Sequence, residues 1–73
     1  MIAQDPPLDD RVMIALQRNP YVAGRNLRFE AAEGRVTLRG VVASYFQKQM
    51  AQEAVRKVDG VDEIANELEV AWA

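Results

Sequence analysis

The 73-residue chain contains no cysteine and no histidine. These absences exclude disulfide bridges, thiolate nucleophiles, imidazole acid–base chemistry and zinc sites of the usual ligand types. Paired carboxylates such as Glu67 and Glu69 remain, but the pattern places them on an open sheet face where nothing removes them from water, as acid–base catalysis would require. We therefore predict a protein that is not an enzyme and that uses no cofactor and no metal ion.

Aromatic residues are few, at 7% of the chain, and the net charge is only −2. A general attraction to nucleic acid is not expected from that charge. No uncharged stretch approaches the roughly 20 apolar residues that a membrane-spanning helix requires, and the first four residues do not resemble a signal peptide. A chain of this length has room for one core. We assign residues 5–73 to a single domain and residues 1–4 to a flexible N-terminal tail.

Two segments have helical signals. Asp5 followed by two prolines is typical of a helix start, and the apolar spacing that follows predicts helix 1 over about residues 6–18. Ser44 and Gln47 have the spacing of a capping box, which predicts a second helix that begins near Tyr45.

Between and after the helices, apolar and polar residues alternate with the period of a β-strand. Two such runs around Gly34 predict a hairpin whose second strand ends at Gly40, and a third run predicts strand 3 over about residues 62–70. The order is αββαβ. The compact solution is an α+β fold with two helices packed on one face of a three-stranded sheet.

The hairpin loop must contain an even number of residues, because the apolar side chains of both strands share one face. A two-residue turn would give Glu33 a positive φ and would set Arg28 opposite Arg39. A four-residue loop over residues 31–34 requires a positive φ only at Gly34. We therefore expect the longer loop.

Asn66 falls among the apolar positions of strand 3, where an amide without hydrogen bonds would cost about 1–3 kcal/mol. We expect this amide to fasten a loop or a strand edge rather than to bind a ligand.

The expected core lies between the sheet and both helices. The predicted core consists of Leu16, Leu27, Phe29, Val36, Leu38, Phe46, Met50, Ile64 and Leu68.

Four stretches carry a family resemblance. Residues 34–42 read G-x-V-T-L-x-G-x-V, residues 58–61 read V-x-G-V, and residues 66–70 read N-x-L-x-V, after a helix with apolar residues at 8, 12, 15 and 16. Together they resemble the BON domain, a small module of bacterial envelope proteins, over nearly the whole chain. The resemblance implies a mixed sheet, no catalysis, and binding to phospholipid membrane surfaces or to other envelope components. It also implies that the domain often occurs in tandem or as part of a larger protein.

The outer face of the predicted sheet is the first candidate site, because three arginines on it could bind phosphate. Three glutamates share that face, and no aromatic residue lies between the arginines as RNA-binding sheets require. We expect the charges to neutralise each other across strands, and we expect no nucleic-acid partner. The residues are Arg28, Arg35 and Arg39 with Glu30, Glu67 and Glu69.

The turn after helix 2 is a second candidate, since Asp59, Asp62 and Glu63 surround Gly60 and could hold a hard cation. The spacing is not that of a calcium loop. We expect Gly60 to end the helix and the acids to be solvated.

Helix 1 offers the third candidate, a lipid or partner contact formed by Arg11, Ile14 and Arg18. Ile14 lies about 100° or more from the core face, between the two arginines. Arginines can meet lipid phosphate while an apolar side chain enters the headgroup boundary. Two aspartates in the first turn and the net charge oppose an anionic surface. The alternative is that Ile14 packs on a neighbouring loop or on Trp72, or is an isolated surface residue.

We therefore interpret the chain as a non-catalytic binding module. Its expected partner is an anionic phospholipid surface or another envelope protein, with a neighbouring domain of the same protein as a further partner. The alternatives are a protein–protein interaction or assembly domain without lipid contact, and a small cation sensor. The resemblance implies the bacterial envelope or periplasm, but this segment holds no targeting signal, which leaves the cytoplasm open.

Overall fold

The computed structural model describes residues 7–23 and 27–71. The assigned tail, residues 1–4, and Trp72 lie outside the described residues. The elements are α1 (Leu8–Arg18), β1 (Leu27–Ala32), β2 (Arg35–Val42), α2 (Tyr45–Arg56) and β3 (Glu63–Val70). The sheet has the order β1-β2-β3, with β1 antiparallel and β3 parallel to the central strand β2. This confirms the predicted αββαβ fold with a mixed sheet.

One core joins both helices to the sheet. Leu27, Phe29, Met50 and Ile64 pack against it as partly buried residues, in agreement with the predicted core. Phe46 does not belong to the core, because 48% of its surface is exposed. The buried residues are Val12 and Leu16 of α1, Val22 of the connector between α1 and β1, Val36, Leu38 and Val42 of β2, Ala51 and Val55 of α2, and Leu68 of β3.

The start of α1 differs from the prediction. Pro7 precedes the helix in an extended conformation, with φ −54° and ψ 155°, and no side chain caps the helix there. The carbonyl of Pro7 accepts the first helical hydrogen bond, from the Arg11 amide at 3.1 Å. The helix therefore begins at Leu8, two residues later than predicted. Asp5, the expected cap, lies outside the described residues.

The hairpin loop has two residues, so the prediction of a four-residue loop is wrong. Glu33 and Gly34 both have positive φ, at 53° and 83°, as a type I′ turn requires. This turn matches the right-handed twist of the strands and adds pairs to the ladder, which offsets the strain at Glu33. Arg28 does lie opposite Arg39, but Arg39 is compensated by nearby carboxylates.

The second strand does not end at Gly40, as had been predicted, but continues to Val42. Gly40 takes a φ of 136° and remains paired with both neighbouring strands, opposite Leu27 and Leu68. Glycine tolerates that conformation, so the strand passes through it without losing register. Val42 is consequently buried, with 1% of its surface exposed.

The predicted cap at Ser44 that opens α2 is confirmed, although the reciprocal bond to Gln47 comes from Ala43 and not from Ser44 as in a regular capping box. The Gln47 amide donates to the Ser44 hydroxyl at 3.1 Å, and the Ala43 amide donates to the Gln47 side-chain oxygen at 2.8 Å. The helix begins at Tyr45 as predicted.

We expect Leu38→Ala to lower the free energy of unfolding by about 2–5 kcal/mol, because Leu38 is completely buried and its truncation leaves a cavity. Urea denaturation followed by circular dichroism measures this loss. A loss below about 1 kcal/mol would contradict the burial of this face of β2.

We expect Glu33→Asn to raise the free energy of unfolding by about 0.5–2 kcal/mol, because asparagine tolerates positive φ better than glutamate. Glu33→Ala removes the same charge but keeps the strained backbone, so it serves as the control and should give no gain. Equal stabilisation by both variants in urea would attribute the effect to charge instead of conformation.

Candidate functional site

The outer seam between α1 and α2 carries several of the cations and exposed apolar side chains of the helical layer. Near the start of α1, Arg11 contacts the turn that follows α2. Beyond the end of α1, Asn19 donates to the Met50 carbonyl at 3.5 Å and Tyr21 packs on Phe46. The two helices therefore run in opposite directions. We call this surface the helix seam and define it by Arg11, Ile14, Arg18, Tyr21, Phe46 and Lys57.

Arg11 fixes one end of the helix seam. Its Nη1 donates to the Asp59 carbonyl oxygen at 2.6 Å, and the side chain is half-buried. A Cβ atom on Gly60 would stand 3.4 Å from Nη2, so the guanidinium lies directly against this turn. The predicted contact residue thus also ties α1 to the connection between α2 and β3.

Ile14 lies in an open groove rather than on an isolated part of the surface. The groove is lined by Ile14 and Arg11 of α1 and by Lys57, Val58 and Asp59 beyond the end of α2. Ile14 keeps 42% of its surface exposed although it adjoins this loop. The sequence analysis had offered an exposed contact residue or a residue packed on a neighbouring loop. Ile14 has features of both, because it borders the loop after α2 and still faces solvent.

Arg18 and Lys57 add exposed positive charge to the helix seam. Arg18 lies in the last turn of α1, and Lys57 follows the last residue of α2. Among the described residues neither side chain forms a salt bridge. Lys57, which the sequence analysis had not selected, comes beside Ile14 only through the packing of α1 on the turn after α2.

Two aromatic rings form the opposite end of the helix seam. Tyr21 and Phe46 pack edge to face with ring centroids 4.8 Å apart, yet about half of each residue is exposed. Phe46 had been predicted in the core because it shares a wide apolar side of α2 with Met50. At 100° per residue it lies about 140° from Ala51 and opposite Val55, the two buried residues of the helix. That spacing was visible in the sequence.

The predicted charge compensation on the outer face of the sheet is found at Arg39 and Arg35, whereas Arg28 and Glu69 form no salt bridge with any described residue. Arg39 lies 3.5 Å from the Glu30 carboxylate and 3.3 Å from that of Glu67, and Arg35 lies 3.9 Å from Glu63. All of these side chains are more than half exposed, so each pair contributes little stability. Their effect is to place most of the acidic residues of the sheet beside arginines.

Asn66 has the structural role that was expected of its amide, but it fastens β3 to a helix, α2, where a loop or a strand edge had been predicted. Its Nδ2 donates to the Lys48 carbonyl at 2.9 Å and to the Gln52 side-chain oxygen at 3.1 Å. Its Oδ1 accepts from the Leu68 amide at 3.2 Å. The amide is thus used within the fold.

The acidic turn after α2 is shaped by backbone contacts. The Val61 amide donates to the Val58 carbonyl at 3.2 Å, and Gly60 has a φ of 96°. The helix already ends at Arg56, so Gly60 does not end the helix as predicted but permits the following turn. In the described ranges, no three carboxylates lie close enough to hold a metal ion.

The fold is that of a small α+β domain, and the helix seam is its candidate binding surface. Within the described part of the chain, no helix is long and apolar enough to cross a membrane. The family model described as "BON domain" matches residues 4–71, and the chain belongs to this family. BON domains are non-catalytic binding modules associated with bacterial envelope proteins. No curated protein matches the chain.

We expect Asn66→Ala to lower the free energy of unfolding by about 1–3 kcal/mol, because the substitution removes the ties to Lys48 and Gln52. Gln52→Ala removes one of these bonds and should cost less. Urea denaturation of both variants tests the order, and an equal or larger loss for Gln52→Ala would contradict the assigned role of Asn66.

Proposed function

We propose that this domain attaches to anionic phospholipid surfaces of the bacterial envelope through the helix seam. The observation that carries the proposal is the shared surface of exposed apolar and cationic side chains, with Ile14 beside Lys57 in one groove. Apolar residues that enter the headgroup boundary and cations that meet lipid phosphate are the two components of interfacial binding.

The apolar part of the contact has two centres. Ile14 supplies an exposed aliphatic side chain at one end of the helix seam, and the Tyr21–Phe46 pair supplies aromatic rings at the other. Tyrosine is suited to a membrane interface because its ring is apolar and its hydroxyl is polar. The two centres allow the helical layer to lie flat on a surface.

The charge distribution supports this orientation despite the net charge of −2. Glu63 and Glu67 lie on the outer face of the sheet beside arginines, on the side away from the helices. Glu53 of α2 is paired with Arg56 at 3.3 Å. Two acids oppose the contact: Asp59, which is exposed and lines the same groove, and Asp10, one helical turn before Ile14. Arg11, Arg18 and Lys57 must therefore outweigh both locally.

A protein partner on the same surface is the second candidate function. The edge-to-face pair of Tyr21 and Phe46 favours it, because half-exposed aromatic side chains are typical anchors of protein interfaces. This candidate differs from the first in needing no anionic lipid.

Vesicle flotation tests the lipid proposal. We expect the chain to float with vesicles made of equal parts phosphatidylglycerol and phosphatidylcholine, and to float less with phosphatidylcholine alone. Each cation at the surface is worth about 1 kcal/mol, so Arg18→Glu should weaken binding by about fivefold or more. Binding should also weaken as salt rises, because the screening length is about 10 Å at 0.1 M salt.

Matched variants separate the local surface from global charge and hydrophobicity. Arg28→Glu makes the same charge change on the outer sheet face, and Val41→Gln matches Ile14→Gln at an apolar residue of β2 that is 53% exposed. We expect the two helix-seam variants to lose flotation and the two sheet variants to retain it, with circular dichroism unchanged in all four. Equal effects on both faces, or no flotation of the wild-type chain at low salt, would reject the lipid proposal in favour of a protein partner.

A further inference from the structure

The first strand of the hairpin has a backbone edge directed away from β2. Within the described residues β1 pairs only with β2. The two-residue turn makes Ala32 and Arg35 a hydrogen-bonded pair, and such pairs alternate with non-hydrogen-bonded ones along an antiparallel ladder. Leu27, Phe29 and Ala31 therefore direct their amide and carbonyl groups away from β2.

An apolar depression lies beside this edge, between α1 and β1. Its volume is about 130 Å³ and it is open to solvent. An apolar cavity of about 150 Å³ holds a benzene-sized group, so the depression can accept a branched apolar side chain. Met13, at its rim, is 45% exposed. The lining residues are Met13, Leu16 and Gln17 of α1, Val22 and Ala23 of the connector, and Leu27 and Phe29 of β1.

The backbone edge and the depression match in register. In an antiparallel pair, directly opposite residues place their side chains on the same face of the sheet. A strand that bonded to Leu27 and Phe29 would therefore direct the residues opposite them toward the helical layer, where the depression lies. The residue between them would lie on the outer face, beside Arg28.

The charge of Arg28 determines which kind of residue is favoured at the middle position of the added strand. Arg28 faces Arg39 across the ladder, and Arg39 is engaged by Glu30 and Glu67. Arg28 itself forms no ion pair with any described residue. An acidic side chain beside Arg28 would compensate this charge, whereas a basic one would add to the repulsion.

We propose that the free edge of β1 binds an extended peptide segment of the pattern apolar-acidic-apolar from a partner protein, by strand addition. Backbone hydrogen bonds to Leu27 and Phe29 would give affinity, and the depression with Arg28 would give selectivity. This contact is separate from the helix seam, because Met13 and Ile14 are adjacent in α1 and point about 100° apart.

The test is an NMR titration of the 15N-labelled chain with a capped peptide whose centre is Leu-Glu-Leu flanked by threonines. We expect the amide signals of Leu27, Phe29 and Ala31 to shift and their hydrogen exchange to slow. Methylation of both leucine nitrogens of the peptide removes the donors that face β1 and should abolish binding. Methylation of the glutamate nitrogen, which faces away from β1, should leave binding intact and is the matched control.

A charge exchange tests the role of Arg28. Arg28→Glu should weaken binding of the Leu-Glu-Leu peptide by about two- to fivefold and strengthen binding of a Leu-Lys-Leu peptide by a similar factor, as for an exposed ion pair. Ile14→Gln should change neither affinity, which keeps this contact distinguishable from the lipid contact.

Three results would overturn the proposal. The first is the absence of shifts in the β1 amides at millimolar peptide. The second is equal loss of binding on methylation of either type of nitrogen. The third is a dependence of the β1 signals on protein concentration without peptide, which would assign the edge to a second copy of the chain.

Discussion

The parallel pairing of β2 with β3 is the constraint on which the rest of the structure depends. Parallel neighbours cannot be joined by a tight turn, because the chain must return to the other end of the sheet before the second strand begins. Here α2 forms this crossover connection. This crossing places α2 on the same face as α1 and makes β2 the central strand. Val36 and Leu38 of β2 are consequently buried completely, beneath both helices.

Polar ties then fix the helical layer in place on this sheet. Asn66 joins β3 to α2, and Arg11 joins α1 to the turn beyond α2. Asn66 and Arg11 both carry polar groups that could bind a ligand, but in this fold they form hydrogen bonds between elements. Because Arg11 holds the turn next to Ile14, the groove between them is a consequence of how the helices are fastened. The proposed binding surface and the stability of the helical layer are therefore linked through Arg11.

The fold could be predicted from the sequence wherever local signals and burial agree. The Ser44–Gln47 capping box and the alternation through β3 are such cases. The length of the hairpin loop was predicted wrongly, because the shared apolar face of the two strands allows a loop of either two or four residues. The shorter loop strains the backbone at Glu33, but it lengthens the strand pairing and matches the twist of the strands. The candidate site was predicted less fully. Ile14 and Arg18 follow from the periodicity of α1, but the position of Lys57 beside Ile14 depends on how the turn after α2 packs.

The two faces of the sheet have different consequences for binding. Most of the outer face compensates its own charges, since Arg35 and Arg39 lie beside Glu63, Glu30 and Glu67, and Arg28 at its β1 edge is the arginine outside these pairs among the described residues. An anionic partner gains little binding energy from arginines that are already paired with carboxylates, because it would have to displace these carboxylates. The helical face instead leaves cations and apolar side chains together, and β1 leaves a backbone edge next to an apolar depression. The distribution of compensated and uncompensated groups is thus the physical basis for proposing the helices and one strand edge as the surfaces for recognition.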